Sequence, residues 1–554
     1  MNRARWSALL DGVSYILLTI LVWGVNALRR GMWQDDVQAL GEAFRRSQQP
    51  FVKLFSPDAS PLRRLTVLPS AIAWATPHPI WALQVLCAAI WLGHALLAGW
   101  IVGLLLPGRR WTRFAVVCLV LTATSDFTAG SMVVLAYKFA ALLLLAAIWC
   151  ALLWIERGLI LPLICSPLLL GCSLLTMEVA LPAVPFLVLL FVWLERWRPT
   201  RRLAVLLTTW GVILIPIAVV EWSFLHDPRS YAAVALVPMS KHALVARTIK
   251  LWLENFAPWR WAFARPEWYV RPQAVIPIVW MAIGALVAAA IFLFRIIGKS
   301  DEVIPSEDGR RSVRLAVLFA MMALIANAAY AGVQFSELHY RTHILSRIWA
   351  SVAIGILAGW IGTHRTRQRW AACAVVTTFV FFGTWGGIER QDFYLASWRG
   401  HQRELASILD TAPSLRTGTA VILRSSSTSG RYLATEADYL TTHWLRLLYD
   451  MKLRTMRLDP TRAGTCTPAA DGLHCIPEGA AITYDNRKPE PPLRFEDLVV
   501  MDYDPASGTY HLVRSLRGDP LARGYEREAA RYRPESRIVM RPWTVKQRRL
   551  LLKE

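Results

Sequence analysis

Apolar runs of about twenty residues recur along the first four hundred positions, and a run of that length is what one helix needs to cross about 30 Å of hydrocarbon. Inside hydrocarbon every backbone N–H and C=O must be satisfied within the chain, so such runs fold as helices. Roughly eleven segments qualify: residues 10–28, 82–106, 112–126, 133–154, 158–176, 178–195, 203–225, 274–297, 314–335, 344–363 and 370–388. The first has Arg3 and Arg5 ahead of it, as a signal peptide does, but no small-x-small cleavage site precedes Arg29 and Arg30. It reads as an uncleaved first helix. With 55% hydrophobic and 18% charged residues, the chain is expected to be a polytopic α-helical membrane protein.

The net charge of +22 would raise the question of nucleic acid in a soluble chain. Here the cations sit in alternate loops, at Arg109, Arg110 and Arg113, at Arg157, at Arg196, Arg198, Arg201 and Arg202, at Arg295 to Arg314, and at Arg365, Arg367 and Arg369. The turns between, Thr124–Ser131 and Thr176–Met177, have none. The positive-inside rule then puts the N-terminus in the cytoplasm and the tail outside, with no nucleic-acid partner. Arg29 and Arg30 run against the bias locally, but the summed bias outweighs them.

Three outside pieces are too long for turns: residues 29–81, 226–273 and the tail. The chain divides into a membrane part, 1–390, and an extracytoplasmic α/β domain, 391–554. In the tail the patterns predict helices at 401–410 and 436–452, a strand at 419–423, and a hairpin at 498–512 turned by Asp504-Pro-Ala-Ser-Gly508. Of the 8 cysteines, only Cys466 and Cys475 lie outside the predicted spans, and on an oxidising face they are expected to pair.

Carboxylates at the bilayer are costly, so those abutting spans are functional candidates. Asp35 and Asp36, Asp126, Glu178 and Glu337 all fall on the outer side and could converge on one cavity. Each also has a plainer reading. Asp35 suits an N-cap of an amphipathic helix through Val37, Leu40 and Phe44, Glu178 the start of a helix, and Asp126 a turn.

Cations on this face are scarce. Lys138 lies inside a predicted span, where it either snorkels or binds an anion. Glu337, His339, Arg341, His343 and Arg347 cluster where the tenth span opens. His343 and Arg347, at i and i+4, share a face suited to a phosphate. An interfacial Arg/Trp belt is the alternative there.

Taken together these residues resemble the GT-C class of glycosyltransferases, of the protein O-mannosyltransferase and aminoarabinose transferase type, which take a sugar from a polyprenyl-phosphate carrier. Trp33-Gln-Asp-Asp-Val is similar to the acidic first-loop motif of that class. Pro61-Leu-Arg-Arg, Pro77-His-Pro-Ile-Trp-Ala-Leu-Gln-Val-Leu and Leu92-Gly-His-Ala-Leu-Leu-Ala resemble its passage into the second helix. Thr176-Met-Glu-Val-Ala-Leu-Pro resembles Lys-Glu-x-x-Leu-x-x-Pro with Met177 for Lys, and Ser346-Arg-Ile-Trp-Ala its late Arg-Tyr-Leu element with Ile348 for Tyr.

The resemblance implies a multi-pass protein of a bacterial plasma membrane that transfers sugar, with inversion, from a polyprenyl-phosphate donor to a glycan, lipid or protein acceptor on the outer face. Asp35 or Asp36 is the expected base. Asp126 and Glu178 are expected to orient the acceptor or to help hold a divalent cation such as Mg or Mn. Lys138, Glu337, His339, Arg341, His343 and Arg347 are expected to line the donor site. A transporter or flippase of a lipid-linked or anionic substrate is the alternative, although no internal repeat is evident.

Overall fold

The computed structural model describes residues 3–24, 26–27, 29–32, 36–47, 55, 62–123, 134–177, 181–182, 184–194, 200–225, 239–261, 306–328, 331, 343–362, 366–425, 438–451, 453–458, 465–476 and 491–552. The apolar runs fold as helices: α1 (Arg3–Thr19), closed by a π turn (Ile20–Gly24), α4 (Pro79–Leu105), α5 (Arg110–Thr122), α6 (Leu135–Arg157), α7 (Ile160–Thr176), α8 (Val184–Leu194) and α9 (Arg201–Leu225). The later ones are α11 (Ser306–Ala328), α12 (Ile344–Ile361) and α13 (Thr366–Thr411). Between them lie α2 (Asp36–Ser47), α3 (Leu68–Trp74) and α10 (Lys241–Glu254), in the long pieces after the first and seventh spans. The expected span at 274–297 lies outside the described residues.

Six helices among the described residues are long and apolar enough to cross a membrane: α4, α6, α9, α11, α12 and α13. The protein is therefore multi-pass, but the count falls short of eleven full crossings. One expected span, 274–297, lies outside the described residues, and others are shorter than a full crossing. A helix rises 1.5 Å per residue, so α5, with 13 residues, reaches only about 20 Å. α7, with 17 residues, is also short of a full bilayer.

α12 is the central helix, with 83% of its most apolar window buried inside the protein, whereas α9 is peripheral at 22%. It packs on α5, α11 and α13 and touches α4 and α6. Gly355 and Gly359 make the approach to α5 possible: a Cβ at Gly355 would run into the backbone and side chain of Val116, and one at Gly359 into Thr112. Small residues four apart let two helix backbones come this close in a medium where burial of apolar surface gives no drive for association.

α13 joins two expected elements. The spans predicted at 370–388 and 401–410 are one unbroken helix of 46 residues, running through the expected boundary near 390. Its polar middle is held by the first helix, whose end it crosses. The Gln391 amide donates to the Leu21 and Val22 carbonyls at 2.9 and 2.8 Å, and Asn26 Nδ2 donates to Asp392 at 2.7 Å.

Beyond α13 the chain forms β1 (Ala420–Arg424), α14 (Asp438–Tyr449), β2 (Arg454–Leu458), β3 (Thr465–Ala469), β4 (Gly472–Ile476), β5 (Leu498–Asp504) and β6 (Thr509–Leu512), and ends in α15 (Glu526–Ala529), α16 (Pro534–Arg537) and α17 (Val545–Leu550). The main sheet has the order β2-β1-β5-β6, with β1 parallel to both neighbours and β5–β6 antiparallel. Parallel β1 and β2 need a crossover, which α14 supplies. The β5–β6 turn forms as the residues predict: the Asp504 carboxylate accepts from Ala506 N and Ser507 N, and Gly508 takes φ +72°.

In the second, two-stranded sheet Cys466 stands directly opposite Cys475, and their sulfurs are bonded. Protein isolated from cells under alkylating conditions should take up no reagent at these two positions until it is reduced. Full labelling before reduction would leave both thiols free and remove the argument for an oxidising compartment.

Candidate functional site

Two of the expected site residues, Asp36 and Lys138, are buried, and a third buried charge, Arg30, meets the same helix, α4, as Lys138 does. Asp36 is the first residue of α2 and is buried, at the helix end where the backbone dipole favours a carboxylate. Lys138 lies in the first turn of α6 and has no exposed surface. Its Nζ sits 5.0 Å from the Trp23 ring centroid and 3.9 Å from the Cys87 sulfur. Lys138 does not snorkel: it is enclosed by protein at depth. The π turn that closes α1 carries Trp23, and such turns interrupt helices most often at functional positions.

Arg30 is buried to 2% exposure. Its Nη2 donates to Gln84 of α4, and its guanidinium lies 5.6 Å above the Tyr394 ring of α13. Burial pulls this guanidinium below its ordinary value, while Tyr394, Cys87 and Asp36 act in the opposite sense. Arg30 through Gln84 and Lys138 through Cys87 thus both reach α4, at side chains three residues apart, and Asp36 is among the charges that act on Arg30. His94, about two turns further along α4 than Cys87, donates from Nε2 to the Lys138 carbonyl at 2.7 Å, and its ring packs edge-on to Trp91. The neighbourhood is rigid because four elements share it: the α1 end, α4, α6 and α13.

A second polar set lies where α12 begins. Arg347 is 1% exposed, and the helix that carries it is the central one, so this guanidinium is inside the protein and not in an interfacial belt. His343 precedes the helix and donates from Nδ1 to Asn327 Oδ1 of α11 at 2.7 Å. Asn255, just past α10, donates to the Ser346 hydroxyl at 3.0 Å, and Trp261 Nε1 to the Asn255 carbonyl at 3.1 Å. This set ties three helices together around Arg347. Since α12 packs on α4 and α6, it borders the helices that carry Cys87 and Lys138.

Asp35, Asp126, Glu178, Glu337, His339 and Arg341 lie outside the described residues. Among the described residues, no group of three or more His, Cys, Asp or Glu side chains is placed to hold a metal ion. Sequence reasoning did not assign Arg30, Gln84, Cys87, Trp23 or Tyr394 to the site. One signal was present, because Arg29 and Arg30 follow the first span on the side opposite to the summed charge bias. Nothing comparable marks Asn255 and Asn327, whose uncharged amides are cheap enough to escape a search for costly charges.

No protein-family model matches the sequence, and no curated protein matches it. Solved structures similar to this chain include ArnT from Cupriavidus metallidurans bound to undecaprenyl phosphate, at 13% identity and a TM-score of 0.38, and the apo state of the same protein, at 14% and 0.40. Each match covers 82% of this chain and 86% of the other. At that identity and TM-score the chemistry has to be argued from the residues.

Proposed function

We propose that this protein is a GT-C-like membrane glycosyltransferase that moves a sugar from a polyprenyl-phosphate donor to an acceptor at the outer face of the membrane. The observation that carries the reading is the buried carboxylate of Asp36 beside two buried cations, Arg30 and Lys138, on elements from remote parts of the chain. Buried charges on this scale are costly and are kept where a charged substrate needs them. The motif order and the presence of undecaprenyl phosphate on one similar structure point to the same donor class.

In this reading the donor phosphate lies against Arg30 and Lys138, with Arg347 approaching from α12. Asp36, or its neighbour Asp35, takes the proton from an acceptor hydroxyl or amine. The acceptor atom then bonds to the anomeric carbon while the carbon–oxygen bond to phosphate breaks, and the polyprenyl phosphate leaves with the electron pair. Cations that already face the leaving oxygen stabilise the charge that develops there without reorganising. The motif resemblance implies inversion at that carbon. The N-terminus is cytoplasmic, and residues 391–554 form an extracytoplasmic domain that covers the first outside loop.

Mass spectrometry of envelope glycans and lipids from cells with and without the protein tests the function. A sugar-bearing product that vanishes with the protein supports transfer. An unchanged product set, with a lipid-linked sugar trapped on the inner leaflet, would support the flippase reading instead.

Arg347 has its own test. A planar guanidinium holding a phosphate makes paired hydrogen bonds that an ammonium cannot copy, so Arg347→Lys should weaken donor binding by about 1–2 kcal/mol. Titration of carrier-linked donor against the purified variant reads this directly. Unchanged affinity would remove Arg347 from the donor site and leave it as a packing residue of α12.

A further inference from the structure

The C-terminal helix α17 reaches back across the fold to the helix that begins with Asp36. Its Lys546 ammonium lies 4.8 Å from the Phe44 ring of α2 and 5.2 Å from the Trp74 ring of α3, while its Nζ also donates to Asp450 at 2.6 Å. Phe44 and Trp74 themselves meet edge-on at 5.5 Å. Three residues later Arg549 donates to the Pro77 carbonyl at 3.4 Å, just before α4 starts. α14 closes the other side of α2. At Gly41 a Cβ would collide with the His443 ring, so the two helices meet at a position that only glycine allows.

α17 is itself firmly seated. Thr544 and Gln547 form a capping box at its start. The Gln547 amide donates to the Pro413 and Leu448 carbonyls, both at 3.1 Å, and Gln402 of α13 donates to the Leu551 carbonyl at 2.5 Å. Residues 546–551 thus join α13, α14, α2, α3 and the approach to α4.

We infer that Lys546 is a positioning residue: through Phe44 and Trp74 it latches α2 in place and so fixes where the Asp36 carboxylate stands. A cation over an aromatic face is attracted by the ring quadrupole, and here one ammonium engages a ring from each of two short helices. α2 has 12 residues, too short to hold its place by intrinsic helix stability, so its position is set by what packs on it. A base displaced by about an ångström loses up to about a hundredfold in rate.

The inference rests on Asp36 as the base, and the experiment separates the two. Hydrogen exchange of the α2 amides is compared in the full-length protein, Lys546→Gln and Lys546→Arg, alongside steady-state kinetics with carrier-linked donor. Lys546→Gln should speed exchange across residues 36–47 and lower kcat by about tenfold or more, with the donor KM within about twofold, because the phosphate contacts are untouched. Lys546→Arg keeps a cation over the rings and should restore both readouts. Unchanged exchange in Lys546→Gln overturns the latch whatever Asp36 does. Faster exchange with unchanged kcat overturns the positioning role, and faster exchange together with a fully active Asp36→Asn would overturn the catalytic reading while leaving the latch intact.

Discussion

Asp36→Asn should lower turnover by about two to four decades, the loss expected when a general base is removed, with membrane insertion unchanged. Asparagine keeps the shape of the side chain and remains acceptable near the start of a helix, so α2 should form as before. What changes is the ability to accept a proton. The measurement is single-turnover transfer from purified carrier-linked donor, with Asp35→Asn run in parallel. Near-normal rates in both variants would reduce the pair to a helix start and remove the base from the proposed mechanism.

A comparable loss is expected from the two buried cations. A hydrogen bond to a charged group contributes about 1.5–3 kcal/mol, so Lys138→Met or Arg30→Gln should each weaken binding of the carrier phosphate by roughly ten- to a hundredfold. Methionine fills the space between Trp23 and Cys87 with an apolar chain of similar length, so the Lys138 variant should fold at least as well as the parent. Because both cations are assigned to one phosphate, the double variant should lose less than the sum of the two single losses. Calorimetric titration with polyprenyl phosphate decides the matter. Parental affinity in both variants would make the cations structural.

How far the sequence discloses this arrangement depends on what each feature costs. Charges near hydrocarbon are costly enough to stand out one residue at a time, which is why Asp36 and Lys138 are legible from sequence and both prove to be buried. Arg30 stands out only as an exception to the charge bias, and its partners Gln84 and Tyr394 come from helices far along the chain. The tail was readable where local chemistry dictates it, as in the Asp504–Gly508 turn and the Cys466–Cys475 pair. The length of α13 was not. Hydropathy detects the part of that helix in the bilayer, but residues 389–400 are polar, and their helical state follows from contacts such as Gln391 with the Leu21 and Val22 carbonyls. Likewise β2, β3 and β4 lack the apolar run that marks β1, since Arg454-Thr-Met-Arg-Leu, Thr465-Cys-Thr-Pro-Ala and Gly472-Leu-His-Cys-Ile set polar residues, proline or glycine among the apolar ones.

The unbroken α13 also gives the molecule a lever. At 1.5 Å per residue, 46 residues make a rod about 69 Å long, more than twice the depth of the hydrocarbon in which its first half lies. Bilayers of different thickness are met by tilting spans, and a tilt of about 10° at one end of such a rod moves the other by about 12 Å. The far end, however, is tied to α17 through Gln402 and thence to α2 and α3. A change in the tilt of α13 must therefore either bend the rod or move α17 against α2, the helix that begins with Asp36, and α3.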